Sequence, residues 1–212
     1  MKRATIVAGV VAVSLVLTGS AMAAYVETFD SDNAGWNYGY NNNFSTVLPA
    51  TWVSSGGNPG GYISGSIANL YAVWVYPTPA PFGDMTGLTI TIDTKITGET
   101  SSGNAQFYVG RGGAYFIDGL WSISADTAWT THQSVLDSAN FSKWTGVDSG
   151  AYTLAEVLSA PDDIGIFFGG GLASGTGTLG VDNFGTVPEP ATMALLALGG
   201  VGLLARRRRG KK

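Results

Sequence analysis

The segment from Leu88 to Ile96 alternates between apolar and polar side chains. Leu88, Ile90, Ile92 and Ile96 fall on one face, and Thr89, Thr91, Asp93 and Lys95 fall on the other. Successive side chains of a β-strand point to opposite faces of a sheet. The segment is therefore predicted to be a half-buried strand of an antiparallel sheet.

The composition extends this prediction to the whole middle of the chain. Glycine is abundant at 31 residues, only 12% of residues are charged, and turn-forming residues recur every 8 to 12 positions. This pattern is typical of an all-β fold, here an antiparallel β-sandwich of the jelly-roll kind. There is no cysteine, which excludes disulfides, thiolate nucleophiles, iron-sulfur clusters and cysteine-based zinc sites.

The pattern of apolar runs and turn signals predicts the positions of the elements. The predicted strands are Tyr25–Phe29, Phe44–Val53, Tyr62–Ile67, Leu70–Tyr76, Leu88–Ile96, Ala105–Val109, Ala114–Ile117, Leu120–Ile123, Trp129–Val135, Ile164–Phe168 and Thr178–Phe184. The residues from Asn37 to Asn43 are predicted to form a polar aromatic loop. One short helix is expected to begin after Thr153, where Thr153 and Glu156 match a capping box, and to end before Pro161.

The first 23 residues have the pattern of a secretory signal peptide. Lys2 and Arg3 precede an apolar centre from Ile6 to Leu17, and Ala21-Met22-Ala23 forms a small-x-small cleavage site. The mature chain is expected to begin near Ala24, with an uncleaved N-terminal anchor as the alternative.

The last 26 residues, 187–212, form a second signal with three parts. The motif Val187-Pro188-Glu189-Pro190 is followed by an uncharged run from Ala191 to Ala205 and then by Arg206, Arg207, Arg208 and Arg209. A 15-residue helix rises about 22 Å, which is less than a ~30 Å hydrocarbon core. The basic cluster favours retention at the cytoplasmic face, and a permanent single-span anchor remains the alternative.

This tail resembles the PEP-CTERM sorting signal. The resemblance implies recognition of Pro188, Glu189 and Pro190 by an exosortase, a membrane-embedded processing enzyme. The apolar helix is then a temporary transmembrane anchor, and delivery is to the surface or exopolysaccharide matrix of a Gram-negative-type bacterium. The chain thus divides into a signal peptide (1–23), a secreted β-sandwich (24–186) and a sorting signal (187–212).

The charge of the middle domain limits its partners. Between residues 25 and 187 there are three basic and fourteen acidic residues, a formal charge of −11. An acidic domain repels phosphate backbones, so nucleic-acid binding is not expected.

The domain also resembles secreted jelly-roll modules related to laminin-type and carbohydrate-binding domains, through Glu27-Thr28-Phe29, Gly35-Trp36, the glycine-rich run 56–61 and Val181–Phe184. The resemblance implies a candidate structural calcium between Glu27 on the first strand and Asp182 on the last. Asp30 and Asp32 offer a second oxygen-rich loop. The alternative is that these residues only form turns.

Sugar binding is the other candidate function of the domain. Trp36, Tyr38, Tyr40, Trp74 and Tyr76, with Tyr71, are candidates for a platform on which pyranose rings stack. The alternative is that these rings pack in the core.

Catalysis is not expected. His132 is the single histidine, with Ser134 and Asp137 near it in sequence, but no local motif assembles a triad. We therefore predict a non-enzymatic surface or matrix protein associated with exopolysaccharide. A permanently anchored carbohydrate-binding module and a secreted glycoside-active enzyme are the alternatives.

Overall fold

The computed structural model describes residues 25–40, 46–66, 72–77, 82–98, 103–123, 128–169 and 177–188. The predicted signal peptide, its cleavage residues Ala21, Ala23 and Ala24, and the sorting tail from Glu189 onward lie outside these ranges. Within them the chain forms fourteen strands and one short helix.

The elements follow one another along the chain in this order: β1 (Tyr25–Glu27), β2 (Trp36–Tyr40), β3 (Thr46–Pro49), β4 (Thr51–Val53), β5 (Tyr62–Ser66), β6 (Ala72–Pro77), β7 (Leu88–Thr97), β8 (Gly103–Arg111), β9 (Ala114–Ile117), β10 (Trp121–Ile123), β11 (Thr130–Val135), β12 (Ser142–Lys143), α1 (Leu154–Ser159), β13 (Asp163–Gly169) and β14 (Thr178–Pro188).

The strands form two antiparallel sheets. The first sheet has the order β11-β7-β14-β5-β4, and β1 pairs with β14 beyond the end of β5. The second sheet has the order β12-β9-β8-β13-β6-β2-β3, and β10 pairs with β8 beside β9. This arrangement confirms the predicted all-β sandwich.

A single apolar core includes residues from both sheets. Ile90, Ile92 and Ile96 of β7 belong to it together with Phe107 and Val109 of β8. The predicted alternation of β7 is therefore confirmed for its apolar face. Its polar face is less exposed than expected, because Thr89 and Asp93 are also buried.

The region from 36 to 53 differs most from the prediction. The predicted loop begins with a strand, β2, whose Trp36 and Tyr38 point into the core. The predicted strand Phe44–Val53 is two strands in different sheets, separated at the buried Ala50. The amide N–H of Ala50 donates to the carbonyl of Trp36 (2.9 Å), which fixes the crossover between the layers.

The helix confirms the capping-box prediction. The Thr153 side chain accepts from the Glu156 amide, and the Glu156 carboxylate accepts from the Thr153 amide. Two N–H groups at the helix start are thereby satisfied. The buried Val157 and Leu158 attach α1 to the sandwich, and the Met85 amide donates to the Leu158 carbonyl at 2.8 Å.

The first and last strands lie side by side. Tyr25 of β1 is in register with Thr186 of β14. On its other side, β14 continues along β7 until Pro188 is opposite Leu88. The last strand therefore includes Val187 and Pro188, the first two residues of the predicted sorting motif.

Candidate functional site

The outer face of the second sheet carries an acidic centre beneath aromatic rings. Side chains alternate along β8, so that Phe107 and Val109 enter the core and Tyr108 points to the opposite side, where it is fully covered. Its hydroxyl donates to Asp163 Oδ1 at 3.0 Å. The Tyr115 hydroxyl donates to Asp163 Oδ2 at 3.2 Å, so one carboxylate holds two tyrosines.

Two further rings extend this surface. The Trp144 ring lies 6.5 Å from the Tyr108 ring and meets the Phe167 ring edge-to-face at 4.7 Å. The Trp144 amide donates to the Tyr115 carbonyl at 2.9 Å, which ties the segment after β12 to β9. Tyr115, Trp144 and Phe167 are each partly exposed.

Burial governs the electrostatics of this surface. It raises the pKa of the Asp163 carboxyl, while the hydrogen bonds from Tyr108 and Tyr115 act in the opposite direction. Burial and then the Asp163 charge raise the pKa of Tyr76, on the neighbouring strand β6. The same two causes raise the pKa of Tyr108 and of Tyr115, so these hydroxyls stay protonated donors at neutral pH. The site is thus a partly apolar surface of aromatic rings with one hydrogen-bonded carboxyl, Asp163, among them.

Two of the predicted sugar-binding residues belong to the core instead. Trp36 is 0% and Tyr38 is 1% exposed, so neither ring can stack on a sugar. Trp36 packs edge-to-face on Phe29 at 5.5 Å and on Phe184 at 4.7 Å. The Tyr38 hydroxyl donates to the Leu179 carbonyl at 2.9 Å.

The remaining predicted rings have different outcomes. Tyr40 and Trp74 lie on β2 and β6, but their side chains are outside the described part, as is all of Tyr71. Tyr76 is partly exposed beside the acidic centre. The prediction missed Tyr115, Trp144 and Phe167. The alternation of Ala114–Ile117 and Ile164–Phe168 could have identified two of them, because Tyr115 and Phe167 lie between core-facing neighbours.

The predicted calcium ligands do not come together as one set. The Glu27 Oε1 atom accepts from the Phe29 amide (3.0 Å), and Asp32 Oδ1 accepts from the Ala34 amide (2.8 Å), so both serve their own turns. Asp182 is fully buried, and its two oxygens accept from the amides of Asn58 and Asn183. Among the described residues, no three acidic or histidine side chains lie close enough to hold a metal ion.

Asp182 instead belongs to a polar cluster beneath the glycine-rich turn after β4. It lies opposite Asp93 of β7, whose Oδ2 accepts from the side-chain amides of Asn58 (3.0 Å) and Asn183 (2.7 Å). Burial, with added repulsion from Asp93 and Asp30, raises the pKa of Asp182 to about 6. The two carboxylates are thus hydrogen-bonded by amides, which favours the turn-forming alternative for these residues.

The first sheet carries its own aromatic group on the outer face. The Lys95 ammonium lies 4.1 Å from the Tyr62 ring centre and 4.3 Å from that of Trp129. It donates to the Gly56 carbonyl (2.7 Å), and the Trp129 indole donates to the same oxygen (3.0 Å). These rings therefore hold a lysine of the same chain and anchor the glycine-rich turn.

The three side chains considered for a catalytic triad, His132, Ser134 and Asp137, make other contacts. The His132 ring stacks on Trp121 at 3.9 Å, and burial lowers its pKa. Asp137 Oδ1 accepts from the amides of Ala139 and Asn140, both at 2.9 Å. The Ser134 side chain forms a hydrogen bond with the Asp118 carboxyl.

The sorting tail is identified by sequence. Residues 186–209 match the PEP-CTERM protein-sorting motif. In the part of the chain that the structure describes, no helix has the length and apolarity needed to cross a membrane. No curated protein sequence matches the chain.

Several solved structures are similar to the fold. The family 11 carbohydrate-binding module of the cellulosomal cellulase Lic26A-Cel5E of Clostridium thermocellum aligns with a TM-score of 0.50 and 18% identity, over 80% of this chain and 97% of the module. An exo-β-agarase aligns with a TM-score of 0.54 and 18% identity over 81% of this chain, but over only 25% of the agarase. The L4b domain of human laminin alpha-2 aligns with a TM-score of 0.49 and 10% identity, over 79% and 99% of the two chains. The chain therefore joins a PEP-CTERM sorting motif at its carboxyl end to a jelly-roll β-sandwich similar in fold to carbohydrate-binding modules.

Proposed function

We propose that the protein is a non-enzymatic, surface-delivered polysaccharide-binding protein, and that it binds through the outer face of the second sheet. The observation that carries the proposal is the group of partly exposed rings at this face, Tyr76, Tyr115, Trp144 and Phe167, of which Tyr115 is hydrogen-bonded to Asp163 and Trp144 packs on Phe167. Pyranose rings present apolar C–H faces that stack on aromatic rings, while polar groups nearby bind the hydroxyls.

The neighbouring polar side chains suit this role. Gln106 and Asn104 alternate with core residues on β8 and so belong to the same face as Tyr108. Amides both donate and accept hydrogen bonds, as sugar hydroxyls do. Because Asp163 accepts from Tyr108 and Tyr115, it also fixes the orientation of the rings before the ligand arrives, which lowers the entropic cost of binding.

Delivery is the second half of the proposal. The PEP-CTERM motif supports export, with an exosortase-type membrane enzyme as the processing partner and the exopolysaccharide of a Gram-negative-type cell as the destination. The apolar run from Ala191 to Ala205 holds the chain in the membrane until it is processed near Pro188-Glu189-Pro190. The sandwich then remains outside, among the polymer that it binds.

Removing one ring from the proposed surface tests the binding step. The Trp144→Ala substitution should weaken retention on exopolysaccharide, or on soluble β-glucan, xylan or agarose, by about tenfold for one lost stacking contact. Affinity electrophoresis in gels that contain each polymer measures the effect. The matched control is Trp129→Ala, which removes an equally large, partly exposed ring from the outer face of the first sheet.

Two outcomes would contradict the proposal. Equal retention of wild type and Trp144→Ala on every polymer would contradict sugar binding through this face, and release of reducing ends from these polymers would instead favour a glycoside-active enzyme. Mass measurement of the surface protein tests the delivery step. A chain that still ends in Lys212 would support the permanent anchor.

A further inference from the structure

The last strand runs directly into the sorting tail. The matched sorting motif begins at residue 186 and β14 ends at Pro188, so Thr186, Val187 and Pro188 belong to both. Thr186 is 2% exposed and is paired with β1 on one side and with β7 on the other. Pro188 is still in register with Leu88 of β7. The sheet therefore reaches the sorting motif without a linker.

Aromatic packing holds this end of β14 in the sheet. The Phe184 ring is fully buried, and its centre lies 6.5 Å from that of Tyr25 and 5.9 Å from that of Phe82. The Tyr25 and Phe82 rings meet edge-to-face at 4.8 Å. On the β7 side, the Leu88 amide donates to the Met85 carbonyl at 3.1 Å, and both side chains are buried. The strand end cannot serve as a spacer unless these contacts break.

Two turns lie beside the point where the chain leaves the sheet, and together they form what we call the tail-side surface. Residues 82–87 lead into β7, and residues 136–140 follow β11. The Leu136 amide donates to the Leu88 carbonyl at 2.8 Å, and Leu88 is the residue in register with Pro188. Both turns are therefore at the end of the sandwich from which the tail departs.

The tail-side surface contains two acidic residues and no Lys or Arg. Asp84 Oδ1 accepts from the Thr86 amide, and Asp137 Oδ1 accepts from the Ala139 amide, both at 2.9 Å. Attraction to anionic lipids comes from basic side chains, so electrostatics does not bring this surface to a membrane. A contact with lipid has to come from the tether.

The length of the tail sets the distance between this surface and the membrane. Only Glu189 and Pro190 separate Pro188 from the apolar run that begins at Ala191. These three steps of the chain span at most about 11 Å, and a headgroup layer about 5–8 Å thick takes up most of that length. A 15-residue helix is also about 8 Å shorter than the hydrocarbon core. With Arg206–Arg209 held at the cytoplasmic face, this shortfall draws the sandwich toward the bilayer.

We propose that the tail-side surface is seated on the headgroups of the membrane for as long as the tail is intact. This inference rests on the proposed anchoring by residues 191–205 and adds a contact made by the folded domain. Lipid is the occupant because the tether leaves only about 3–6 Å beyond the headgroups, which is less than the ~10 Å width of one helix. Processing near Pro188 then takes place at the membrane surface, next to the sandwich.

Fluorescence quenching by lipid tests the contact, and the absence of cysteine from the natural chain makes site-specific labelling direct. The chain is expressed with Thr86→Cys in a bacterium without an exosortase, so that the tail is kept, and is labelled with bimane. It is then inserted into phosphatidylcholine vesicles that contain a lipid with a nitroxide headgroup. The matched control is Ser66→Cys, because Ser66 is also exposed and pairs with Thr178, about 33 Å along β14 from Pro188. We expect several-fold stronger quenching at position 86 than at position 66.

A linker variant shows whether the direct join is the cause. Twenty Gly and Ser residues inserted after Pro188 add about 25 Å of flexible chain. Quenching of the Thr86→Cys label should then fall to the level of Ser66→Cys, while the protein stays on the vesicles. Equal quenching at the two positions, or undiminished quenching with the linker, would overturn the proposal. A chain that does not float with the vesicles would instead refute the anchor itself.

Discussion

At the residue scale, the close packing of the second sheet depends on the missing side chain of Gly165. A Cβ atom at Gly165 would lie 2.0 Å from the Val75 carbonyl oxygen and 3.2 Å from the Tyr108 ring. The first contact is with backbone, which cannot move aside without disturbing the pairing of β13 with β6. The same glycine thus keeps the strands together and makes room for Tyr108 beneath the proposed binding surface.

Gly165→Ala should therefore destabilise the protein by roughly 1–3 kcal/mol or more, the usual cost of overpacking. Chemical denaturation of the surface-released protein measures it. Gly119→Ala is the control, because a Cβ there meets nothing within 4 Å. Equal stability of the two variants would show that β13 and β6 can separate without cost.

Two buried carboxyls should make the stability depend on pH. Burial raises the pKa of Asp118 to about 7 and, with repulsion from neighbouring carboxylates, that of Asp182 to about 6. A folded state with raised pKa values binds protons more tightly than the unfolded chain, so this stabilisation is complete below about pH 4. This stabilisation is lost as the pH rises through 6 and 7, and the free energy of unfolding falls by the order of a few kcal/mol.

Melting temperatures between pH 5 and 8 test this prediction. Asp118→Asn, which can still accept from the Phe107 amide as Asp118 does at 2.7 Å, should flatten the upper part of the curve. An unchanged slope in Asp118→Asn would assign the pH dependence to other groups.

At the element scale, the sequence predicts those strands and helices whose signals lie within a few neighbouring residues. β7 and α1 were predicted because alternation and a capping box lie within a few residues. The division of Phe44–Val53 was not predictable in this way, since the crossing at Ala50 depends on a bond to Trp36. For the same reason the sequence leaves open whether Trp36 and Tyr38 belong to a sugar platform or to the core. Aromatic residues are common both in cores and at binding surfaces, and only the tertiary fold shows which face is covered.

The helix offers a prediction at this scale. Thr153→Ala removes the acceptor of the Glu156 amide and should cost about 1 kcal/mol of stability. Thr153→Ser keeps the hydroxyl and should behave like wild type in the same denaturation measurement. If both variants match wild type, packing of Val157 and Leu158 alone holds the helix.

At the scale of the whole molecule, the two halves of the proposed function rest on different parts of the chain. The sandwich carries the proposed binding surface, and the C-terminal tail carries the sorting motif. Replacing Arg206–Arg209 with glutamine should leave the fold intact and prevent surface delivery, because the positive end no longer retains the segment at the cytoplasmic face. Cell fractionation and surface labelling measure delivery, and normal surface levels would refute the assignment.

Metal dependence is also a property of the whole fold. Because both oxygens of Asp182 accept from amides, we expect a chelator to leave the melting temperature unchanged. A fall in melting temperature that calcium reverses would reinstate the calcium ligand hypothesis.

The side-by-side placement of β1 and β14 brings the two ends of the sandwich to the same place. Tyr25 faces Thr186, so whatever precedes β1 and whatever follows β14 depart from one spot on the sandwich. If a signal peptide and a membrane anchor are both attached, they hold the sandwich at two points on neighbouring strands. Release of the sandwich then requires that both attachments are cut.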